Sequence, residues 1–249
     1  MNNKLIILFS ISVVINILLL LLVTLFIARK GGLAYLGIKI LNLLNIKANQ
    51  FEYQPYYLHQ TSLFKILPKS DSEIVFLGDS ITDECEWAEL LNNSNIKNRG
   101  ISGDTTVGVL NRLDDILESK PRKIFLMIGI NDFIHYNKSA EEVFEEYNKI
   151  ITEIHKESPN TKIFIQSVLP VNKTQYKVSV TNEKVMKLNL YLEELAKKLS
   201  LQYIDLFSLL SSQNQLDSYY TLDGVHLNAQ AYSVWKQAIE EYIAILNDL

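Results

Sequence analysis

From Glu73 onward the sequence switches repeatedly between two hydrophobic periods, and that alternation restricts the chain to one broad kind of fold. Short apolar runs suited to buried strands occur at Ile74–Leu77, Ile124–Ile128, Ile163–Ile165 and Tyr203–Phe207. Between them lie segments whose apolar residues share one helical face. The first holds Val109, Leu113, Ile116 and Leu117, and the second Val143, Tyr147, Ile150 and Ile154. The third holds Val185, Leu188, Leu192, Leu195 and Leu199. Pro121 and Pro159 each stand between a helical segment and the next strand, where a helix must stop. A last helix is predicted from about Asn228 to Leu246, with Trp235, Ile239 and Tyr242 on its face. Strands alternating with helices predict an α/β domain over 73–249, with a central parallel sheet covered on both sides. In such sheets functional groups gather at the carboxyl ends of the strands.

The amino-terminal part obeys a different rule. Residues 5–27 are apolar except for Ser10, Ser12, Asn16 and Thr24. As a helix this segment reaches roughly 35 Å, enough for a hydrocarbon core of about 30 Å. A cleaved signal peptide has a shorter apolar region of about 7–15 residues, and no small-x-small site precedes Arg29-Lys30. The segment therefore predicts an uncleaved transmembrane anchor. Orientation has two opposing cues. Arg29, Lys30, Lys39 and Lys47 outnumber Lys4, which would hold the following domain in the cytoplasm. A very short tail before a long apolar run is instead the layout of a signal anchor, which predicts an extracytoplasmic domain. Residues 28–72 are a juxtamembrane connector and lead-in. Leu33, Leu36, Ile40, Leu43 and Leu44 have helical spacing, suited to the membrane surface or to packing on the domain. Tyr53, Tyr56, Tyr57 and Phe64 mark an aromatic stretch expected to pack against the domain.

Composition removes several functions. One cysteine, Cys85, excludes an internal disulfide and a cysteine-rich zinc site. A net charge of −4 gives no basic footprint for nucleic acid. No metal or other cofactor is implied, because the histidines and carboxylates form no ligand cluster in the sequence. Glycine is scarce at 9 of 249 residues, so each one marks a place where the backbone needs it. Within the domain, Gly78, Gly100, Gly103, Gly129 and Gly224 all fall in loops flanked by reactive side chains.

Two of those loops carry complementary chemistry. In Gly78-Asp79-Ser80-Ile81, a serine just past a strand would sit at a helix start, with its hydroxyl exposed and its own N–H free for an oxyanion. The competing role for Asp79 and Ser80 is simple helix capping. A serine hydroxyl is inert near neutral pH without a base, and that base needs an orienting partner. In Asp223-Gly224-Val225-His226, the carboxylate and imidazole can bond within one turn while the ring points elsewhere. His135, close to Asn131, is the rival base; His59 lies in the lead-in and His155 at a helix end.

Taken together the blocks resemble the SGNH (GDSL-type) hydrolase family. Gly78-Asp79-Ser80-Ile81 is similar to its nucleophile block, with isoleucine where the family name has leucine. Gly100 in Asn98-Arg99-Gly100 matches the second block, Gly129-Ile130-Asn131-Asp132 the third and Asp223-Gly224-Val225-His226 the last, in family order. The wording is most similar to bacterial relatives of platelet-activating-factor acetylhydrolase and of small acetylesterases. The resemblance implies a flavodoxin-like three-layer α/β/α sandwich, with Ser80 as nucleophile, His226 as base and Asp223 fixing the imidazole. It also implies an oxyanion hole from the N–H groups of Ser80 and Gly100 and the Asn131 side chain. The expected activity is hydrolysis of a short-chain, acetyl-type carboxylic ester on an envelope glycan or lipid. Lysophospholipase action, acyl transfer to a sugar hydroxyl and an inactive binding domain are the alternatives.

Overall fold

The computed structural model describes residues 54–176 and 182–244, together with Ser12, Val13, Asn16 and Thr24. The chain divides into two units, residues 1–51 and 52–249. In the first, the four described residues are helical, and Asn16 Nδ2 donates to the Ser12 carbonyl at 2.9 Å. The expected anchor at 5–27 otherwise lies outside the described residues, as does the amphipathic stretch at 31–50. Among the described residues, no helix is long and apolar enough to cross a membrane.

The second unit is built on a five-stranded sheet. Its strands are β1 (Ile74–Gly78), β2 (Ile96–Gly100), β3 (Lys123–Met127), β4 (Lys162–Gln166) and β5 (Gln202–Ile204). They run parallel in the order β2-β1-β3-β4-β5, the doubly wound order in which the direction of winding reverses between β1 and β3. Every residue of β1 and β3 is buried, so both faces of the sheet are covered. The helices are α1 (Pro55–Ile66), α2 (Ser80–Asp83), α3 (Trp87–Leu90), α4 (Thr106–Asn111), α5 (Leu113–Leu117), α6 (Ile130–Tyr136), α7 (Ala140–Glu157), α8 (Asn182–Leu199), α9 (Leu206–Leu210) and α10 (Ala229–Ala244).

One face of the sheet carries a row of rings. Phe76, Phe125 and Phe164 are register neighbours on β1, β3 and β4, and stack at 4.9 and 4.4 Å. Trp87 stacks on Phe76 at 4.3 Å and meets Trp235 of α10 edge-on at 4.7 Å. The indole N–H groups are satisfied, Trp87 by the Thr82 carbonyl and Trp235 by Gln166 Oε1. Tyr232 of α10 donates to the Ile81 carbonyl at 2.8 Å, which braces the segment after β1. α7 packs against α4, α5 and α8. The aromatic lead-in is the helix α1, with Tyr57 and Phe64 buried and Tyr57 Oη donating to the Gly108 carbonyl.

Three sequence expectations need correction. The apolar pattern does not predict β2, because Ile-Lys-Asn-Arg-Gly has one large apolar residue. As an edge strand it needs only β1 as neighbour, and its polar side chains have other work: Arg99 lies over the Phe64 ring of α1 at 4.7 Å. The strand expected at Tyr203–Phe207 ends at Ile204, because Asp205 caps α9 by accepting the Ser208 N–H. The face from Val109 to Leu117 is two helices, broken at Arg112, whose guanidinium turns inward to Asp104.

Candidate active site

The carboxyl ends of β1, β2 and β3 deliver three of the four glycine loops to one edge of the sheet. β1 ends at Gly78 and leads through Asp79 into α2. Asp79 is the N-cap, its Oδ1 accepting the Ile81 N–H at 3.1 Å, so Ser80 occupies the first helical position. There its N–H has no preceding helical carbonyl to bond. β2 passes close beneath: a Cβ on Gly100 would stand 2.3 Å from the Asp83 nitrogen, so only glycine fits.

The loop after the 3₁₀ turn (Ser218–Tyr220) supplies the fourth block. Thr221 pairs with Leu227 across it, and Asn172 N–H donates to the Gly224 carbonyl at 2.8 Å. Gly224 has φ +92, and a Cβ there would lie 2.8 Å from the Asn172 carbonyl oxygen, which fixes this position as glycine. Asp223 works in two directions. Its Oδ1 accepts the N–H groups of Val225 at 2.9 Å and His226 at 2.8 Å, while its Oδ2 meets His226 Nδ1 at 2.6 Å. His226 Nε2 then faces Ser80 Oγ at 3.0 Å. Partial burial would raise the Asp223 carboxyl, but bonds from the imidazole and the two N–H groups outweigh it and hold it at about 2. A carboxylate at Nδ1 keeps a proton there and leaves Nε2 to accept from the serine hydroxyl.

Asn131 lies in the first turn of α6, just past β3, and is buried. Its Nδ2 donates to the Asp104 carbonyl at 2.9 Å, which uses one of the two amide hydrogens. The Gly100 N–H donates to Asn98 Oδ1 at 2.8 Å, so it already has a partner. Beneath these loops sit buried carboxylates. Burial pushes Asp79 up to about 7, and Asp104 up to about 6 against the pull of Arg112, which it meets at 2.8 Å. Asp132 bonds Thr106 and Lys138, bracing α4 against α6.

Ser80, Asp223 and His226 are thus joined in one hydrogen-bonded chain across 146 residues of sequence separation. His135 is on the last turn of α6 and His155 on that of α7, and neither is in this chain. Burial pushes the Cys85 thiol up to about 12, leaving it protonated. Two neighbours were missed in the sequence. Glu84 Oε1 is 3.7 Å from His226 Nε2, and its position one helical turn after Ser80 was the available signal. Asn98 gave no signal beyond its place in the second block. Among the described residues no group of three or more histidine, cysteine or carboxylate side chains is arranged to hold a metal ion.

The chain is similar to known proteins. The model of the GDSL-like lipase/acylhydrolase family matches residues 76–234. Platelet-activating factor acetylhydrolase IB subunit alpha2 of Homo sapiens is 28% identical over 181 residues, 70% of this chain and 76% of that protein. N-acylneuraminate cytidylyltransferase of Escherichia coli O18:K1:H7 is 27% identical over 179 residues, but the chain spans only 41% of its length. Among solved structures, a platelet activating factor protein from Streptococcus pneumonia is 30% identical with a TM-score of 0.67, covering 84% of this chain and 99% of that one.

Proposed function

Because the chain belongs to the GDSL-like lipase/acylhydrolase family and is a carboxylic ester hydrolase, we propose that it removes a short acyl group, of acetyl size, through a covalent intermediate on Ser80. The observation that carries this is the continuous path from Asp223 Oδ2 through the imidazole to Ser80 Oγ, at 2.6 and 3.0 Å. In this reading Ser80 Oγ attacks the ester carbonyl carbon while His226 Nε2 takes its proton. The tetrahedral intermediate collapses, the C–O bond to the alcohol breaks, and His226 returns the proton to the departing oxygen. Water then attacks the acyl-enzyme by the same proton route, releasing the acid and restoring Ser80. Asp223 holds the imidazole and offsets its positive charge.

The oxyanion is assigned to the Ser80 N–H, the Asn131 amide and the Gly100 N–H. Gly100 would exchange its Asn98 partner for the substrate oxygen. Similarity to platelet-activating factor acetylhydrolase supports an acetyl-sized acyl group, and the alcohol is proposed to belong to an envelope glycan or lipid. We further propose that residues 5–27 anchor the chain in a membrane with the domain on the extracytoplasmic side, a reading that rests on the apolar segment alone. Protease treatment of intact cells tests it, since a domain digested only after lysis would refute export.

The full-length protein should hydrolyse p-nitrophenyl acetate faster than butyrate or longer esters, and Ser80→Ala should abolish each activity. Equal rates in wild type and Ser80→Ala would overturn the assignment. A maximum at long chains would favour the lysophospholipase reading instead.

A further inference from the structure

Glu84 is a charged group at this site that the hydrolytic steps leave unused. Its N–H donates to the Ser80 carbonyl at 3.0 Å, and its Oε1 stands 3.7 Å from His226 Nε2, the nitrogen that faces Ser80 Oγ. The Glu84 side chain is 46% exposed, so it meets solvent beside His226. Among the described residues no lysine or arginine pairs with it. The adjacent Asp83 is employed differently, its Oδ2 accepting the Tyr56 hydroxyl at 2.8 Å and the Ser102 N–H at 3.2 Å. That bond ties the partly exposed Tyr56 of α1 to Asp83 through its hydroxyl.

A carboxylate so near the reacting atoms opposes the negative charge that builds on an ester oxygen, since Coulomb energy varies as charge over distance. It favours a substrate that brings its own positive charge. We propose that the site takes esters bearing a cationic ammonium group, and that Glu84 is the residue that selects them. This inference rests on the ester-hydrolase reading of Ser80 and His226.

Two matched ester pairs test it with the full-length protein. Acetylcholine and its uncharged carbon isostere, 3,3-dimethylbutyl acetate, place the charge on the alcohol side. Betaine methyl ester and methyl 3,3-dimethylbutanoate place it on the acyl side. For each pair the readout is the ratio of kcat/KM, cationic over neutral, in wild type and in Glu84→Gln, so that intrinsic ester reactivity cancels. The expected result is a fall of about tenfold in one ratio, or ~1.4 kcal/mol, and the pair that responds shows which side carries the charge. In wild type the same ratio should fall as ionic strength rises, because a half-exposed charge is screened. Ratios unchanged by both the substitution and salt would overturn the proposal. p-Nitrophenyl acetate is run in parallel: its hydrolysis with unchanged ratios removes only the cation preference, whereas no hydrolysis of any ester removes the esterase reading with it.

Discussion

Asn98 Oδ1 accepts the Gly100 N–H at 2.8 Å, so a side chain two residues earlier on the same strand already occupies the backbone donor assigned to the oxyanion. The Asn98 Nδ2 lies 3.0 Å from the carbonyl oxygens of Thr82, Asp83 and Cys85, at the end of the turn that carries Ser80. One amide thus sets the distance between the edge strand and the nucleophile. Asn98→Ala should lower stability by about 2 kcal/mol, from several hydrogen bonds at ~1 kcal/mol each with their partners left desolvated. Asn98→Asp should also be destabilised, since a carboxylate would face those carbonyls without donors. Urea unfolding measures both, and a wild-type midpoint for either variant would show that the clamp does nothing.

Much of this arrangement was legible in the sequence because the relevant residues are fixed by backbone needs. Gly100 and Gly224 admit no side chain, and each stands beside the groups it positions. The buried strands β1, β3 and β4 were visible for the same reason, being apolar on both faces. The features that the sequence does not disclose depend on partners remote along the chain. β2 is polar and stands as a strand only because β1 pairs with it, while Phe64 and the Thr82 carbonyl use its side chains. Arg112 reads as one more helical residue until its buried bond to Asp104 shows why the helix breaks there. Glu84 lacks a role until the loop at 221–228 brings His226 over it.

Asp223 allows the loop to be separated from the chemistry. In Asp223→Asn, the amide oxygen can still accept the Val225 and His226 N–H groups, so the turn should persist. The second amide position becomes a donor and can no longer hold the proton on His226 Nδ1. The expected result is a near-native melting temperature with kcat lowered by at least ~10³-fold, close to that of His226→Ala. His135→Ala should stay within about twofold of wild type. If His135→Ala gave the large loss and His226→Ala did not, the base would be misassigned.

Asn131 tests the oxyanion assignment from the side-chain donor. Its amide spends one hydrogen on the Asp104 carbonyl, so the second is the catalytic candidate. Asn131→Ala should cost about 3 kcal/mol of transition-state stabilisation, seen as a fall of ~10²-fold in kcat with KM little changed. Asn131→Asp should be at least as poor, because a carboxylate would repel the oxyanion. A variant that raised KM while keeping kcat would place Asn131 in ground-state binding instead.

Asp79 gives a prediction in the pH dependence of stability. It is almost fully buried, and burial pushes its carboxyl up to about 7, despite the Ile81 N–H bonded to it. In the unfolded chain the ordinary value is about 4, so between these limits the folded state binds the proton more tightly. Its contribution to stability is therefore fully present below about pH 4 and declines as pH rises towards 7, where the buried group ionises. Asp79→Asn keeps an oxygen acceptor for the Ile81 N–H and has no charge to bury. Relative to wild type it should gain stability as pH rises from about 4 to about 8, by up to about 4 kcal/mol for a shift of roughly three units. Asp104 titrates in both proteins, so its own change largely cancels in the difference. Chemical unfolding of the two proteins across this range measures it. A difference that stayed constant with pH would mean that Asp79 holds the same protonation state throughout.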